Sequence, residues 1–184
     1  LDVAVAMGGG PFYLPMPEVI KIELTGKLNP WVRAKDVALE ILRRLSVSGG
    51  RGRILEFAGD GLKNLMVTER STIANMSIET GAITAVFPSD EMTENFLRRE
   101  GREKDYQPLA ADADAEYEAE ITIDLSSLEP LAAAPHSPDN VHPVKELAGV
   151  KLDQVAIGSC TNGSYVDLMT VAGILRGKKI PDHV

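Results

Sequence analysis

Length, composition and charge describe an ordinary globular protein and exclude several classes. The 184 residues, 44% of them hydrophobic and 25% charged, suffice for one domain with a core, or for one domain and part of another. The formal net charge of −8 argues against a surface that coats nucleic acid, and no apolar run approaches the roughly 20 residues of a membrane span. A single cysteine excludes an internal disulfide, and without a signal peptide we expect a cytoplasmic location.

The first part of the chain alternates strand and helix patterns. Residues 2–14 are small and glycine-rich, and we expect a flexible connector there. Alternating side chains over 18–25 predict a half-buried strand, an apolar face over 35–45 predicts a helix, and 53–57 predicts a second strand. Strand, helix and strand in this order indicate a parallel pair.

A second helix is predicted over 68–80, with Thr68 as its N-cap and Gly81 just past its end. Asn75 and Glu79 lie four residues apart on one face of this helix. Their spacing alone favours a face that is turned to water, away from the apolar side of the helix.

The following segments continue the pattern and then change in character. An apolar strand is predicted over 82–87 and a helix over 89–99, with acidic residues at its positive end. Residues 103–118 are acidic and alanine-rich, which is typical of a solvated linker. A domain boundary is therefore predicted near residue 115.

The segment after this boundary has few clear elements. Alternation over 120–125 predicts a strand, and the proline-rich stretch 128–143 predicts an extended loop. His136 and His142 lie in this loop, and their spacing matches no standard metal site. We therefore interpret them as structural or exposed histidines.

The only cysteine lies in a tight turn further along the chain. An apolar run over 155–157 predicts a strand, the sequence Gly-Ser-Cys-Thr-Asn-Gly over 158–163 predicts a tight loop, and the apolar segment 165–175 predicts a helix. This order places Cys160 at the carboxyl end of a strand and beside the start of a helix. Ligands of open α/β sheets collect at such places.

A single thiol in such a turn has three interpretations. A nucleophile needs a general base, and His136, His142 and His183 show no local signature of one. A ligand for iron and sulfur needs about three further ligand positions, which this chain cannot supply as cysteine. A buried structural cysteine is the ordinary state of a free thiol. The turn by itself leaves the three open.

Several of these segments together resemble the aconitase superfamily of iron–sulfur hydro-lyases. The most specific of them is the Cys-Thr-Asn motif at Cys160. The resemblance covers nearly the whole chain, in the order that the family has. The matching segments are 24–28, 34–37, 56–59, 73–82, 86–88, 129–143 and 158–163.

The resemblance implies a fold and a site. The fold is a three-layer α/β/α domain with a mostly parallel sheet over residues 1–115, followed over 116–184 by a truncated part of a further α/β domain. Cys160 matches one of three cysteine ligands of a [4Fe–4S] cluster, and the other two are absent from this chain. Asn75 and Glu79 match residues that position the substrate hydroxyl or water, which replaces the interpretation of a water-facing pair.

The resemblance also implies an activity for the complete protein. We expect a hydro-lyase that interconverts citrate and isocitrate through cis-aconitate, as in the tricarboxylic acid cycle. The alternatives are the large subunit of 3-isopropylmalate dehydratase and homoaconitase. The expected partners are a small hydroxy acid with two or three carboxylates and the remaining domains, or a small subunit that carries the swivelling domain. The isolated chain is expected to be inactive and to bind no cluster, and a scaffold module is the non-enzyme alternative.

Overall fold

A four-stranded sheet forms the centre of the molecule, in a computed structural model that describes residues 2–181 and 184. The strands lie in the order β3-β2-β1-β4, and each neighbouring pair is parallel. The predicted α/β fold with a mostly parallel sheet is therefore confirmed. The strands are β1 (Glu18–Thr25), β2 (Arg53–Ala58), β3 (Thr84–Val86) and β4 (Ala119–Asp124).

Helices connect and flank these strands, and a small hairpin follows them. Among the described residues, no helix is long and apolar enough to cross a membrane. The hairpin pairs β5 (Leu131–Ala133) with β6 (Val141–Pro143) in antiparallel fashion. The α-helices are α1 (Asp2–Met7), α2 (Ala34–Leu45), α3 (Val67–Ser77), α4 (Glu91–Arg99), α5 (Ser159–Asn162) and α6 (Tyr165–Leu175).

The core lies between one face of the sheet and helices α2 and α3. Ile20, Ile22 and Leu24 alternate along β1 and are buried, because every second side chain of a strand points to the same face. Val37 and Ile41 of α2 pack in the same cluster, four residues apart on one helical face. Each such side chain contributes roughly 1.5–3 kcal/mol when fully buried. This core holds α2 and α3 in fixed positions on the sheet.

The opposite face of the sheet is polar and only half-buried. The ammonium group of Lys21 lies 2.9 Å from Glu23 and 3.6 Å from Glu120, and it also lies over the ring of Tyr117. The hydroxyl of Tyr117 donates a hydrogen bond of 3.0 Å to Glu56. The alternation on β1 and β2 therefore separates an apolar face from a charged one.

Two predictions in the first part of the chain are corrected. The segment 2–14 is not connector throughout, since it begins with α1, a short helix of alanine and valine whose side chains are exposed. Helix α3 begins at Val67, and its N-cap is Met66, two residues before the predicted N-cap Thr68. The Glu69 carboxylate causes this, because it accepts a hydrogen bond of 2.8 Å from the backbone N–H of Met66.

Strand β4 follows the predicted domain boundary near residue 115, yet it pairs with β1 along its whole length. The sheet therefore extends across that point of the chain. The acidic segment 103–118 is attached to the sheet at its last residue. The N–H of Glu118 donates to the carbonyl of Val19, and the Glu118 carboxylate pairs with Arg53. The division into one domain over residues 1–115 and another over residues 116–184 stays a prediction.

The structure differs from the sequence predictions most strongly after β4. The stretch 128–143 forms the β5–β6 hairpin instead of an extended loop. Residues 155–157 form no strand, and Val155 and Ile157 are about half exposed because no described strand lies beside them. The expected tight loop at Cys160 is a single helical turn, α5.

Candidate functional site

Two side chains of α3 hold the turn that carries Cys160. The amide nitrogen of Asn75 donates a hydrogen bond of 3.2 Å to the carbonyl oxygen of Cys160. The hydroxyl of Thr72 donates one of 3.0 Å to the carbonyl oxygen of Thr161. Because Thr72 and Asn75 lie three residues apart, they share one face of the helix. Helix α3, itself fixed in the core, therefore positions the backbone of α5.

The thiol of Cys160 is exposed, so its interpretation as a buried structural cysteine is wrong. The Asn75 amide lowers the pKa of this thiol below its usual 9.0, and the hydroxyls of Ser159 and Thr161 lower it further, each 3.9 Å from the sulfur. Hydrogen bonds to a thiolate stabilise the charged form. A thiolate is the form that binds metal ions and acts as a nucleophile.

The backbone around Cys160 is built from a sharp turn and a capped helix. Gly158 has φ +139°, a conformation that side-chain-bearing residues rarely adopt, and α5 begins at the next residue. Helix α6 then starts with a capping box, in which Ser164 and Asp167 exchange hydrogen bonds of 3.2 Å. The amide of Asn162 donates to the other oxygen of Asp167 at 3.5 Å. These contacts join α5 to the first turn of α6.

A cleft of about 750 Å³ opens beside this turn, within the size range of small-molecule sites. Glu79 lines it from a 3-10 turn (Ile78–Thr80) that directly follows α3, and its carboxylate is exposed. The start of α2 and strand β5 form the other walls. The polar residues that line the cleft are Arg33, Lys35, Glu79, Ser159, Thr161, Asn162, Asp167 and Thr170.

The wall formed by β5 is attached to α2 through Asp36. One carboxylate oxygen accepts a hydrogen bond of 2.7 Å from the N–H of Leu131, and the other accepts one of 2.6 Å from the N–H of Arg33. Burial raises the pKa of Asp36 above its usual 3.8, although the two N–H groups act in the opposite direction. This buried carboxylate fixes both the hairpin and the first turn of α2 at the edge of the cleft.

The structure brings two of the three predicted site residues, Asn75 and Cys160, into contact, and it places Glu79 in the cleft beside the cysteine turn. Asn75 is half-buried against the cysteine turn, so the interpretation of a helix face turned to water is wrong for this residue. Glu79 is exposed, but to the cleft that Ser159 and Thr161 also line. Helical spacing predicts that Asn75 and Glu79 share one face of the helix. Cys160 reaches this face only through the fold of the chain, so no local pattern predicts its position.

The histidines form no part of this arrangement. The ring of His142 lies 2.9 Å from the side-chain oxygen of Asn140, on the hairpin, and His136 is exposed nearby. His183 lies outside the described residues. Within 2–181 and 184, no group of three or more His, Cys, Asp or Glu side chains is placed to hold a metal ion. Cys160 is the only cysteine of the chain, so the chain offers at most one thiolate ligand.

Thr72, Arg33 and Lys35 were missed as site residues by sequence reasoning. Thr72 lies three residues before Asn75, so the same helical spacing that joined Asn75 to Glu79 was a usable signal. Arg33 carries no such signal, and Lys35 belongs to the matching segment 34–37 without a role assigned to it. Both reach the cleft through the packing of α2 beside α3.

Fold and site together define a class: an α/β protein in which a Cys-Thr-Asn turn, held by an asparagine, lies with a glutamate at one cleft. The sequence model of the family described as "Aconitase family (aconitate hydratase)" matches residues 1–184. The chain therefore belongs to the aconitase family.

Individual relatives agree with this assignment. The chain is 46% identical over 183 residues to 3-isopropylmalate dehydratase large subunit 2 of Archaeoglobus fulgidus, a match that covers 100% of the chain. It is 47% identical over 184 residues to large subunit 1 of the same enzyme from Thermotoga maritima, with 98% of the chain covered. In both comparisons the chain spans 44% of the length of the relative.

Proposed function

We propose that the chain is part of the large subunit of a hydro-lyase that isomerises 3-isopropylmalate by dehydration and rehydration. The observation that carries this proposal is the 46–47% identity, along essentially the whole chain, to proteins named as large subunits of that enzyme. These relatives favour the alternative over the expected reaction of citrate and isocitrate. They give no support to a place in the tricarboxylic acid cycle.

A [4Fe–4S] cluster fits the part of its site that this chain provides. Cys160 offers an exposed thiol with a lowered pKa, which suits one thiolate ligand, and two more are needed from outside the described residues. When bound, a cluster held by three thiolates supplies a Lewis acid for the hydroxyl group of a substrate. Thr72 and Asn75 would keep the turn of Cys160 in place for this ligand.

Glu79 and Asn75 have separate roles in this proposal. The exposed carboxylate of Glu79 accepts a hydrogen bond from the hydroxyl of the substrate or from water in the cleft. Asn75 uses its amide N–H groups on the carbonyl and the thiol of Cys160, which leaves its amide oxygen for the substrate. Asn75 lies on a helix of the core and Glu79 directly after it, so the backbone positions of both residues are well fixed.

The proposal includes a partner and a location. The relatives are named as large subunits, and we propose that this chain likewise works with a small subunit that completes the active site. A cytoplasmic location and a hydroxy acid substrate belong to the same proposal. The isolated chain, with one thiolate ligand, is expected to show no turnover.

The test uses the complete large subunit with its small subunit, reconstituted anaerobically with iron and sulfide. The ultraviolet absorbance of the unsaturated acid would be followed with isopropylmaleate and, separately, with cis-aconitate. We expect turnover of isopropylmaleate that is lost in Cys160→Ser and kept within about threefold in Thr84→Val, an exposed change on β3 that does not line the cleft. Turnover of cis-aconitate alone would instead support aconitate hydratase, which the family description names.

A further inference from the structure

Two cationic side chains line the cleft beside Cys160. Arg33 is the residue before α2, and Lys35 lies in the first turn of that helix. Both are exposed, and neither has a carboxylate within ion-pair distance among the residues that the structure describes. This is notable in a chain with a net charge of −8, where acids outnumber bases.

Two of the three acidic groups around these cations, Asp36 and Asp167, accept hydrogen bonds from other groups, and the third, Glu79, lines the same cleft. The carboxylate of Asp36 is buried and accepts the N–H groups of Arg33 and Leu131. Asp167, on the α6 side of the cleft, accepts from Ser164 and from an amide of α5. The charges of Arg33 and Lys35 both act to lower the pKa of Asp36, so they attract its carboxylate, but neither side chain forms an ion pair with it or with Asp167. The cations remain available for an anion from outside.

The backbone that carries the two cations is rigid. Asp36 closes the first turn of α2 by accepting from the Arg33 N–H at 2.6 Å, and the buried side of the helix is anchored by Val37 and Ile41. Cations on a fixed helix start bind an anion more tightly than cations on a flexible loop, because less backbone freedom is lost on binding. The positive end of the helix adds to the same field.

We infer that Arg33 and Lys35 bind a carboxylate of the hydroxy acid substrate, while Glu79 accepts the hydrogen bond of its hydroxyl group. This inference rests on the proposed function, whose substrate carries carboxylates and a hydroxyl. A guanidinium group binds a carboxylate through two parallel hydrogen bonds, and a lysine adds a point charge. Glu79 repels a carboxylate, so the inference assigns the hydroxyl group of the substrate to Glu79 and the carboxylate to the two cations.

The test measures binding and turnover separately in the complete large subunit with its small subunit. Arg33→Gln and Lys35→Gln remove one charge each, and Lys104→Gln is the control, because Lys104 is exposed on a separate 3-10 turn (Glu103–Asp105) and does not line the cleft. We expect KM for isopropylmalate to rise about tenfold in each cleft variant, with kcat within about threefold, and no change in the control. Arg33→Lys should give an intermediate KM.

Calorimetric titration with isopropylmalate decides the inference independently of turnover. Weaker binding in both cleft variants, with unchanged circular dichroism, supports it. Wild-type affinity in Arg33→Gln and Lys35→Gln overturns it, even where the wild-type enzyme isomerises isopropylmalate and the proposed function stands. If the wild-type enzyme binds isopropylmalate without turning it over, the proposed function fails, and the affinities of the variants still decide whether the two cations hold the carboxylate.

Discussion

The side-chain amide of Asn75 donates a hydrogen bond of 3.2 Å to the carbonyl oxygen of Cys160, across 85 positions of the sequence. Asn75 lies on a helix that packs in the core, whereas the turn of Cys160 has little packing of its own. The bond therefore transfers the rigidity of α3 to a turn that lacks it. It also joins the only cysteine to the residue that most strongly lowers the pKa of its thiol.

Replacing Asn75 with alanine should slow the alkylation of Cys160 in the cluster-free chain. The amide stabilises the thiolate, so its removal raises the thiol pKa, and at a fixed pH near neutrality a smaller fraction of the thiol is ionised. We expect a several-fold lower rate with iodoacetamide and a pH profile displaced upwards. The control is Ser71→Ala, an exposed change on the same helix. An unchanged profile would show that the amide does not act on the thiol.

Thr72→Val should loosen α5 without unfolding the protein. The valine has nearly the shape of threonine but cannot donate to Thr161, so about 0.5–1.5 kcal/mol of local stability is lost. We expect faster hydrogen exchange of the amides over 159–163, measured by mass spectrometry. Thr170→Val is a matched control, because its hydroxyl bonds only to a carbonyl of its own helix. Equal exchange in both variants would contradict a positioning role for Thr72.

The sheet and its helices could be predicted because their sequence signals are local. Strand β1 alternates Ile20, Ile22 and Leu24 with polar residues, and α2 repeats its apolar residues at helical spacing. Gly59, in one of the matching segments, also has a clear reason. A side chain there would lie 2.1 Å from the carbonyl oxygen of Leu24, so the turn after β2 requires glycine.

The remaining features depend on contacts between distant segments. Residues 155–157 have the composition of a strand, but a strand needs a neighbour, and none lies beside them among the described residues. The hairpin β5–β6 was missed because its strands are three residues long and rich in proline and alanine, so alternation is not visible. The cleft itself joins α2, the end of α3 and α5, which no periodicity connects.

Asp36→Ala should detach β5 from α2, with a cost that depends on pH. Two backbone N–H groups lose their acceptor, so we expect the free energy of unfolding to fall by about 1–3 kcal/mol. Because burial raises the pKa of Asp36, the folded state holds its proton more tightly than the unfolded state. The stability that Asp36 provides therefore decreases as the pH rises from its ordinary 3.8 through the folded-state pKa.

Urea unfolding at pH 4, 5.5 and 7 measures this dependence. The loss of stability in Asp36→Ala should be larger at pH 4 than at pH 7. Asp112→Ala, on the exposed acidic segment, is the control and should stay within about 0.5 kcal/mol of wild type at each pH. If the loss of stability in Asp36→Ala instead grew with rising pH, the fold would stabilise the charged carboxylate, and folding would lower the pKa of Asp36 and not raise it.

Asp90→Ala should destabilise the protein more than any exposed ion-pair variant. Both Asp90 oxygens face the guanidinium of Arg70, at 2.9 and 2.7 Å, and Arg70 is only 4% exposed. The same carboxylate caps α4 by accepting from the N–H groups of Met92 and Thr93. Removal leaves a buried cation without its partner and a helix without its cap. We expect a loss of about 3 kcal/mol, since the pair is partly exposed on the aspartate side.

Asp90→Asn separates the two contributions. Asparagine still caps a helix but carries no charge, so the loss of stability should be about 1 kcal/mol smaller than in Asp90→Ala.

Burial acts to raise the pKa of Asp90, but Arg70 and the capping N–H groups outweigh it and hold the pKa below 3.8. A lowered folded-state pKa means that this stability is present above pH 3.8 and is lost as the pH falls through the folded value. Urea unfolding at pH 7 and pH 3 should therefore show Asp90→Ala approaching wild type in acid, the reverse of Asp36→Ala. Asp105→Ala, which breaks the exposed pair with Arg102, should cost under about 0.5 kcal/mol, and an equal cost for Asp90→Ala would refute the structural role of the buried pair.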